Sequence, residues 1–172
     1  MRNWRFLAVV PLLLLLAACG FRPLYGTGDA TTPGVAQDLA SVAIAEPQNR
    51  LLQLIRNDLL STMRPAGTAE PDRYRLDIEA TASDEKSIED SSNSRRARRS
   101  TLRVNASFAL KELSGGGKTI YQGRTFSFVS YDEVNQSFAD MQARTTAVER
   151  GAREVAIDIR TRLAAHFATA RN

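Results

Sequence analysis

Three rhythms of apolar residues run along this chain, and each names an element. Phe6 to Ala18 has no rhythm at all: its 13 residues form an unbroken apolar run. In "SVAIAEP", residues 41–47, Val42 and Ile44 alternate with small residues, which predicts a short strand ended by Pro47. "NRLLQLIRNDLLSTMRP" then sets apolar residues at 51, 52, 54, 55, 59, 60 and 63. That spacing covers a wide helical face, with Asn49 suited to the N-cap and Pro65 and Gly67 to the stop. "RYRLDIEATA" returns to period two, with Tyr74, Leu76, Ile78 and Ala80 on one side and Arg75, Asp77, Glu79 and Thr81 on the other. This is a half-buried strand. "TLRVNASFAL" repeats the pattern with Leu102, Val104, Ala106, Phe108 and Leu110 inward. "SGGGK" turns the chain, and "TIYQGRTFSFVSY" predicts a third long strand whose alternation falters around Gly123, the mark of a bulge.

From about 135 to 168 the period becomes helical. Phe138, Met141, Val148, Ala152, Val155, Ile159, Leu163 and Phe167 form one stripe, with Thr145 filling a gap in it. Arg144, Arg150, Arg153, Asp158 and Arg160 lie opposite, and Gly151 sits inside at a cost of about 1 kcal/mol relative to Ala. The predicted order is β-α-β-β-β-α. It describes an α+β fold: a small, mostly antiparallel sheet of about four strands with two α-helices packed on one face. The long stripe is expected to cover the sheet.

The front end decides the compartment. Arg2 and Arg5 precede the apolar run, and the small residues Ala17 and Ala18 close it just before Cys19. Thirteen residues fall short of the ~20 that a transmembrane helix needs. A positive start, a short apolar core and small residues before a break describe an export signal over residues 1–18. Cys19 is the one cysteine of the chain, and a lone thiol in an exported protein needs a reason. Leu16-Ala17-Ala18-Cys19 resembles a bacterial lipobox. The resemblance implies cleavage before Cys19, with acyl chains on its thiol and amine, and more than one such chain gives stable membrane anchoring. An ordinary signal with an incidental cysteine is the plainer alternative. Gly20, where an Asp would direct retention at the inner membrane, favours the outer membrane. Residues 19–40 are rich in Gly, Thr, Pro and Ala and read as a lipidated tether to a single domain over 41–172. Within the tether, Phe21, Leu24 and Tyr25 suit docking on the domain or the membrane interface.

Composition adds little chemistry. The 172 residues less the first 18 leave 154, enough for one cored domain. Because the removed segment holds two arginines and no acid, the formal charge falls from +4 to +2. That is not the balance of a dedicated nucleic-acid binder, and no disulfide can form within the chain. His166 is the sole histidine, with no nucleophile or orienting group nominated beside it, so it reads as structural or solvent-facing. A zinc site would need three or four Cys, His or carboxylate ligands, and no metal or other cofactor is expected. "GGGKT", 115–119, imitates the tail of a phosphate loop, but Glu112 stands where the first Gly belongs. "NAS" at 105 and "NQS" at 135 match a glycosylation sequon by coincidence.

"SSNSRRARRSTLR", 91–103, is the unusual stretch. Arg95, Arg96, Arg98, Arg99 and Arg103 follow an acidic patch of Asp84, Glu85, Glu89 and Asp90. Two readings stand: a solvated loop that pairs with its acidic neighbour, or a contact with an anionic lipid or acidic partner through planar guanidinium forks. Nucleic acid is set aside by the export signal.

The lipobox cysteine followed by "GFRPLYG", then "RLLQLIRNDLL" after a short strand, then "YRLDIEA", resembles the LptE-type lipopolysaccharide-assembly lipoproteins, and the element order fits along the mature chain. The resemblance implies an outer-membrane lipoprotein facing the periplasm and anchored through Cys19. It would plug the LptD β-barrel, assist its folding, and bind lipopolysaccharide on its way to the cell surface. It implies no enzyme activity. The arginine cluster is nominated for the anionic lipid on physical grounds, not by alignment. Two other classes remain: a scaffold or pilotin for a different export machine, and a periplasmic hydrolase using Asp77 and Glu79, which share one face of a strand.

Overall fold

The structure, a computed structural model, describes residues 34–65, 70–85, 98–114, 116–133 and 136–171. The lipobox with Cys19, and Arg95 and Arg96, lie outside these residues.

The folded part begins earlier than the expected boundary at 41. A short helix, α1 (Val35–Ala40), occupies the end of the stretch expected as tether. Its Leu39 and Ala40 are buried, and Asp38 is clamped by Arg73 at 3.3 Å and Arg171 at 3.4 Å. Burial pushes the Asp38 carboxyl above its usual range, while Arg171 and Arg73 pull it back. The clamp ties the start of the domain to its C-terminus.

β1 (Val42–Ile44) is short and runs parallel to β2 (Tyr74–Glu85), Val42 facing Tyr74 and Ile44 facing Leu76. Between them stands α2 (Arg50–Met63). Its N-cap is Asn49, whose Oδ1 accepts the Leu52 N–H at 2.9 Å, a bond worth about 1 kcal/mol. The buried face of α2 is Ile55, Leu59 and Met63. β2, β3 (Arg98–Glu112) and β4 (Lys118–Glu133) follow as an antiparallel meander, and the sheet order is β1-β2-β3-β4. The turn after β3 places Gly116 and Gly117 at φ 72° and 80°, where a side chain would be strained. α3 (Ser137–Ala170) then packs along β3 and β4 and beside α2.

The α+β expectation therefore holds, with α1 added. The inward row of β3 is also as expected: Leu102, Val104, Ala106, Phe108 and Leu110 are all buried. The β4 irregularity lies elsewhere than Gly123. Leu110 faces Tyr121 while Lys111 faces Thr119, so the shift falls between Leu110 and Lys111. Gly123 itself is in regular register with Phe108, and a Cβ there would lie 2.7 Å from the Phe108 Cζ. The residue is small because a ring lies over it.

A second close approach shapes β4. A Cβ on Gly151 of α3 would stand 2.7 Å from Val104 Cγ2 and 3.1 Å from Ser127 Oγ. The Ser127 hydroxyl donates to the Gly151 carbonyl at 3.3 Å. The helix backbone thus sits directly on the sheet, and only small side chains fit beneath it. Thr125, Ser127, Val129 and Tyr131 turn inward, and Phe126 and Phe128 turn outward.

The long stripe of α3 covers the sheet only in part. Ala152, Val155, Ile159, Leu163 and Phe167 are buried and Val148 is half-buried, but Phe138 is 74% exposed and Met141 61%. A 34-residue helix is ~51 Å long and a 14-residue one ~21 Å. Among the described residues the helices that pack on α3 are α2 and the short α1, both much shorter than it.

Gly151→Ala is expected to lower stability by about 1 kcal/mol, the overpacking outweighing the gain in helix propensity. Combined with Val104→Ala, it is expected to cost less than the sum of the two single changes, measured by denaturant midpoints at constant slope.

A candidate anion-binding face

The face of the sheet opposite the helices carries the side chains with chemistry. On β3, odd-numbered residues point there. Arg103 stands opposite Phe128 in the register. Its guanidinium lies 5.5 Å from the Phe126 ring centre and 5.2 Å from that of Phe128, and the two rings meet edge-on at 5.4 Å. Its Nε donates to Asn105 Oδ1 at 2.9 Å and its Nη1 to Glu85 at 3.3 Å. The fork is therefore held in one orientation over two rings that are 59% and 49% exposed. A cation on exposed rings gains ~0.5–1 kcal/mol per contact.

Arg99, four residues earlier, shares this face at ~13 Å. It meets Asp132 at 3.5 Å, with both side chains largely exposed. Such pairs contribute little, ~0–1 kcal/mol, and exchange readily for another anion. Arg98 enters the strand with its backbone opposite Glu133. Of the five nominated arginines, the structure brings Arg99 and Arg103 to one face. Each has an acidic neighbour, Asp132 for Arg99 and Glu85 for Arg103; Arg99 is exposed and Arg103 half-buried. Phe126 and Phe128 were not nominated. Their signal was present in "TFSFVSY", where two phenylalanines alternate with small residues, but it did not say which row faces the core.

Further along the same face lies an open trough of about 1550 Å³, lined by Arg75, Asp77, Glu79, Ser107, Gln122 and Arg124 among others. Asp77, the candidate acid of the hydrolase reading, receives Lys111 at 2.8 Å and Arg75 at 2.9 Å. The Lys111 hydrogen bond, aided by Arg75, holds its carboxyl below the usual range. A carboxylate kept ionised in this way is a poor proton donor. Glu79 beside it is exposed.

His166 stacks on Tyr121 with ring centres 4.6 Å apart, and Tyr121 in turn meets Phe108 at 5.9 Å. Its role is packing near the C-terminal end of α3. Among the described residues no three His, Cys, Asp or Glu side chains gather where a metal could bind, and no helix is long and apolar enough to cross a membrane.

Asp77→Asn is expected to lower stability at pH 7. Because the folded carboxyl titrates below its unfolded value, its contribution is present above that value and is lost as pH falls through the folded one. The gap between parent and variant should therefore close below about pH 4, read from denaturant midpoints across pH.

No protein-family model and no curated protein matches the chain. Among solved structures, it is similar to a candidate lipoprotein of Caulobacter crescentus, at 27% identity and a TM-score of 0.63 over 78% of this chain and 96% of that one. Rare lipoprotein B of Shewanella oneidensis is similar at 16% identity and 0.55, over 76% of this chain and 97% of that one. A minor lipoprotein of Acinetobacter baumannii is similar at 13% identity and 0.52, over 73% and 89%. The fold is one that bacterial lipoproteins carry.

Proposed function

We propose that this chain is a non-catalytic outer-membrane lipoprotein, acylated at Cys19 and facing the periplasm, that serves as the plug and assembly partner of an LptD-type β-barrel and binds lipopolysaccharide in transit to the surface. The general part, a lipid-anchored scaffold, is supported by the lipobox together with a fold shared with bacterial lipoproteins. The specific part rests on the sequence resemblance to LptE-type lipoproteins. The observation that carries it is the Arg103 fork lying over the exposed rings of Phe126 and Phe128. An amphiphilic anion offers both halves of that match: phosphate for the guanidinium and acyl carbon for the rings. Loosely paired Arg99 adds a second exchangeable cation on the same face. A mixed-charge, compact domain also suits the polar lumen of a wide barrel.

Affinity purification of the membrane-extracted protein from its host, followed by mass spectrometry, tests the reading. An LptD-type barrel at equal stoichiometry is expected. Isolation alone, or with a different export machine, would leave only the scaffold role. In the same preparation Arg103→Ala is expected to weaken lipopolysaccharide binding about tenfold while the barrel still co-purifies. Cys19→Ala is expected to abolish incorporation of labelled palmitate.

A further inference from the structure

The trough beside the Arg103 fork is too large and too polar to serve phosphate and acyl carbon alone. Its volume of about 1550 Å³ exceeds the ~300–1,000 Å³ of a site for one small molecule. It crosses the whole sheet, from Ile44 on β1 to Arg124 on β4, a width of three strand spacings or ~14 Å. Its floor is low, because the β3 residues that point outward there, Ser107 and Ala109, have short side chains. This shape suits an extended ligand better than a compact one.

The charged groups of the trough fall into two sets. In the first, Asp77 is held by Arg75 and Lys111, so these three are occupied with one another. The second is a row across three strands. The register sets Glu79 of β2 against Ser107 of β3, and Ser107 against Arg124 of β4. Two strand spacings, ~10 Å, separate the backbones that carry the carboxylate and the guanidinium. Among the described residues neither group makes an ion pair or a side-chain hydrogen bond, and the same holds for the Ser107 hydroxyl and the neighbouring Gln122 amide. Glu79, Gln122 and Arg124 are exposed, and Ser107 is half-buried. The row thus offers a charged acceptor at one end, a charged donor at the other, and between them a hydroxyl and an amide that both donate and accept. An anion is repelled at the Glu79 end and a cation at the Arg124 end. Apolar carbon would strip water from both charges without replacing its hydrogen bonds. A neutral polyol matches all four groups, because each of its hydroxyls donates one hydrogen bond and accepts others.

We propose that the Glu79–Ser107–Arg124 row, with Gln122, is a saccharide subsite that takes the sugar chain of the glycolipid whose phosphate and acyl carbon the Arg103 end receives. It rests on the lipopolysaccharide reading above, which places phosphate and acyl carbon but no sugar. Arg103 and Ser107 share the outer face of β3 four residues apart, ~13 Å. One amphiphile spans that distance, with its carbon on Phe126 and Phe128, its phosphate at Arg103 and its hydroxyls in the trough.

Binding titrations of the acylated, detergent-extracted chain test the subsite with three probes: lipid A, the same lipid carrying its core oligosaccharide, and that oligosaccharide released by mild acid. The sugar-bearing lipid is expected to bind about tenfold tighter than lipid A, and the released oligosaccharide to bind in the millimolar range. Glu79→Ala and Gln122→Ala are each expected to remove most of the tenfold advantage and to weaken the released oligosaccharide, with lipid A unchanged. Both side chains are exposed and unpartnered, so the denaturant midpoints of parent and variants should coincide. Arg103→Ala is expected to weaken both lipids by the same factor and so preserve their ratio. The sign at Glu79 separates sugar hydroxyls from an anionic group on the sugar: loss of the carboxylate weakens the first and tightens the second. Equal affinity for the two lipids, or tighter binding by Glu79→Ala, overturns the inference and leaves the lipopolysaccharide reading standing. Failure of both lipids to bind, with the released oligosaccharide still bound and sensitive to Glu79→Ala, overturns that reading and leaves the subsite. Failure of all three probes overturns both.

Discussion

The close approach of α3 to the sheet at Gly151 is the constraint on which the rest of the molecule depends. A helix that lays its backbone against β3 and β4 leaves space for a serine hydroxyl but not for a ring. Interiors tolerate neither voids nor overlaps, so the small Ser127 faces inward beneath Gly151 and the flanking Phe126 and Phe128 turn out. The outer face inherits its aromatic character from a glycine on the opposite side of the sheet. The same logic operates at Gly123, where the Phe108 ring occupies the space a side chain would need. Both glycines look like weaknesses in their elements when read locally, and both are places where a neighbour fills the gap.

Two consequences follow for the surface. Arg103 finds two rings beside it and is held in place by Asn105 and Glu85, so a long, entropically costly side chain is already ordered before any ligand arrives. The trough end of the same face is a different environment, where Asp77 is tied into ion pairs with Lys111 and Arg75. The face therefore divides into an aromatic half with an oriented cation and a polar half in which Asp77 is tied up by Lys111 and Arg75. Recognition of an amphiphile needs the first; proton transfer would need a free group in the second, and Asp77 is not free.

At the other end of the domain, α1 is tied to the C-terminal end of α3. Asp38 binds Arg73 and Arg171, so the point where the N-terminal segment leaves is fixed to the C-terminal end of α3. Phe167 packs on Tyr74 and His166 on Tyr121 close by. The arginine-bearing end of β3 lies at the opposite end of the sheet, because Tyr74 pairs with Glu112 while Glu85 pairs with Thr101. The Asp38 clamp and the arginine-bearing end of β3 are separated along the long axis of the strands.

Periodicity alone determined the element order, the inward row of β3, the Asn49 cap of α2 and the turn between β3 and β4, because each rests on contacts within a few residues of sequence. The cysteine behind two alanines was legible for the same reason: it is a matter of local residue type. Only the tertiary structure decided which row of β4 faces the core, since "TFSFVSY" offers apolar atoms on both sides and the choice was made by a helix glycine 24 residues away from Ser127. It also decided that α1 belongs to the domain, through an ion pair spanning 133 residues, and that Phe138 and Met141 stay outside the core, because α2 is too short to stand beside them. A hydrophobic pattern says that a side chain can be buried; whether it is depends on what the rest of the chain brings to cover it.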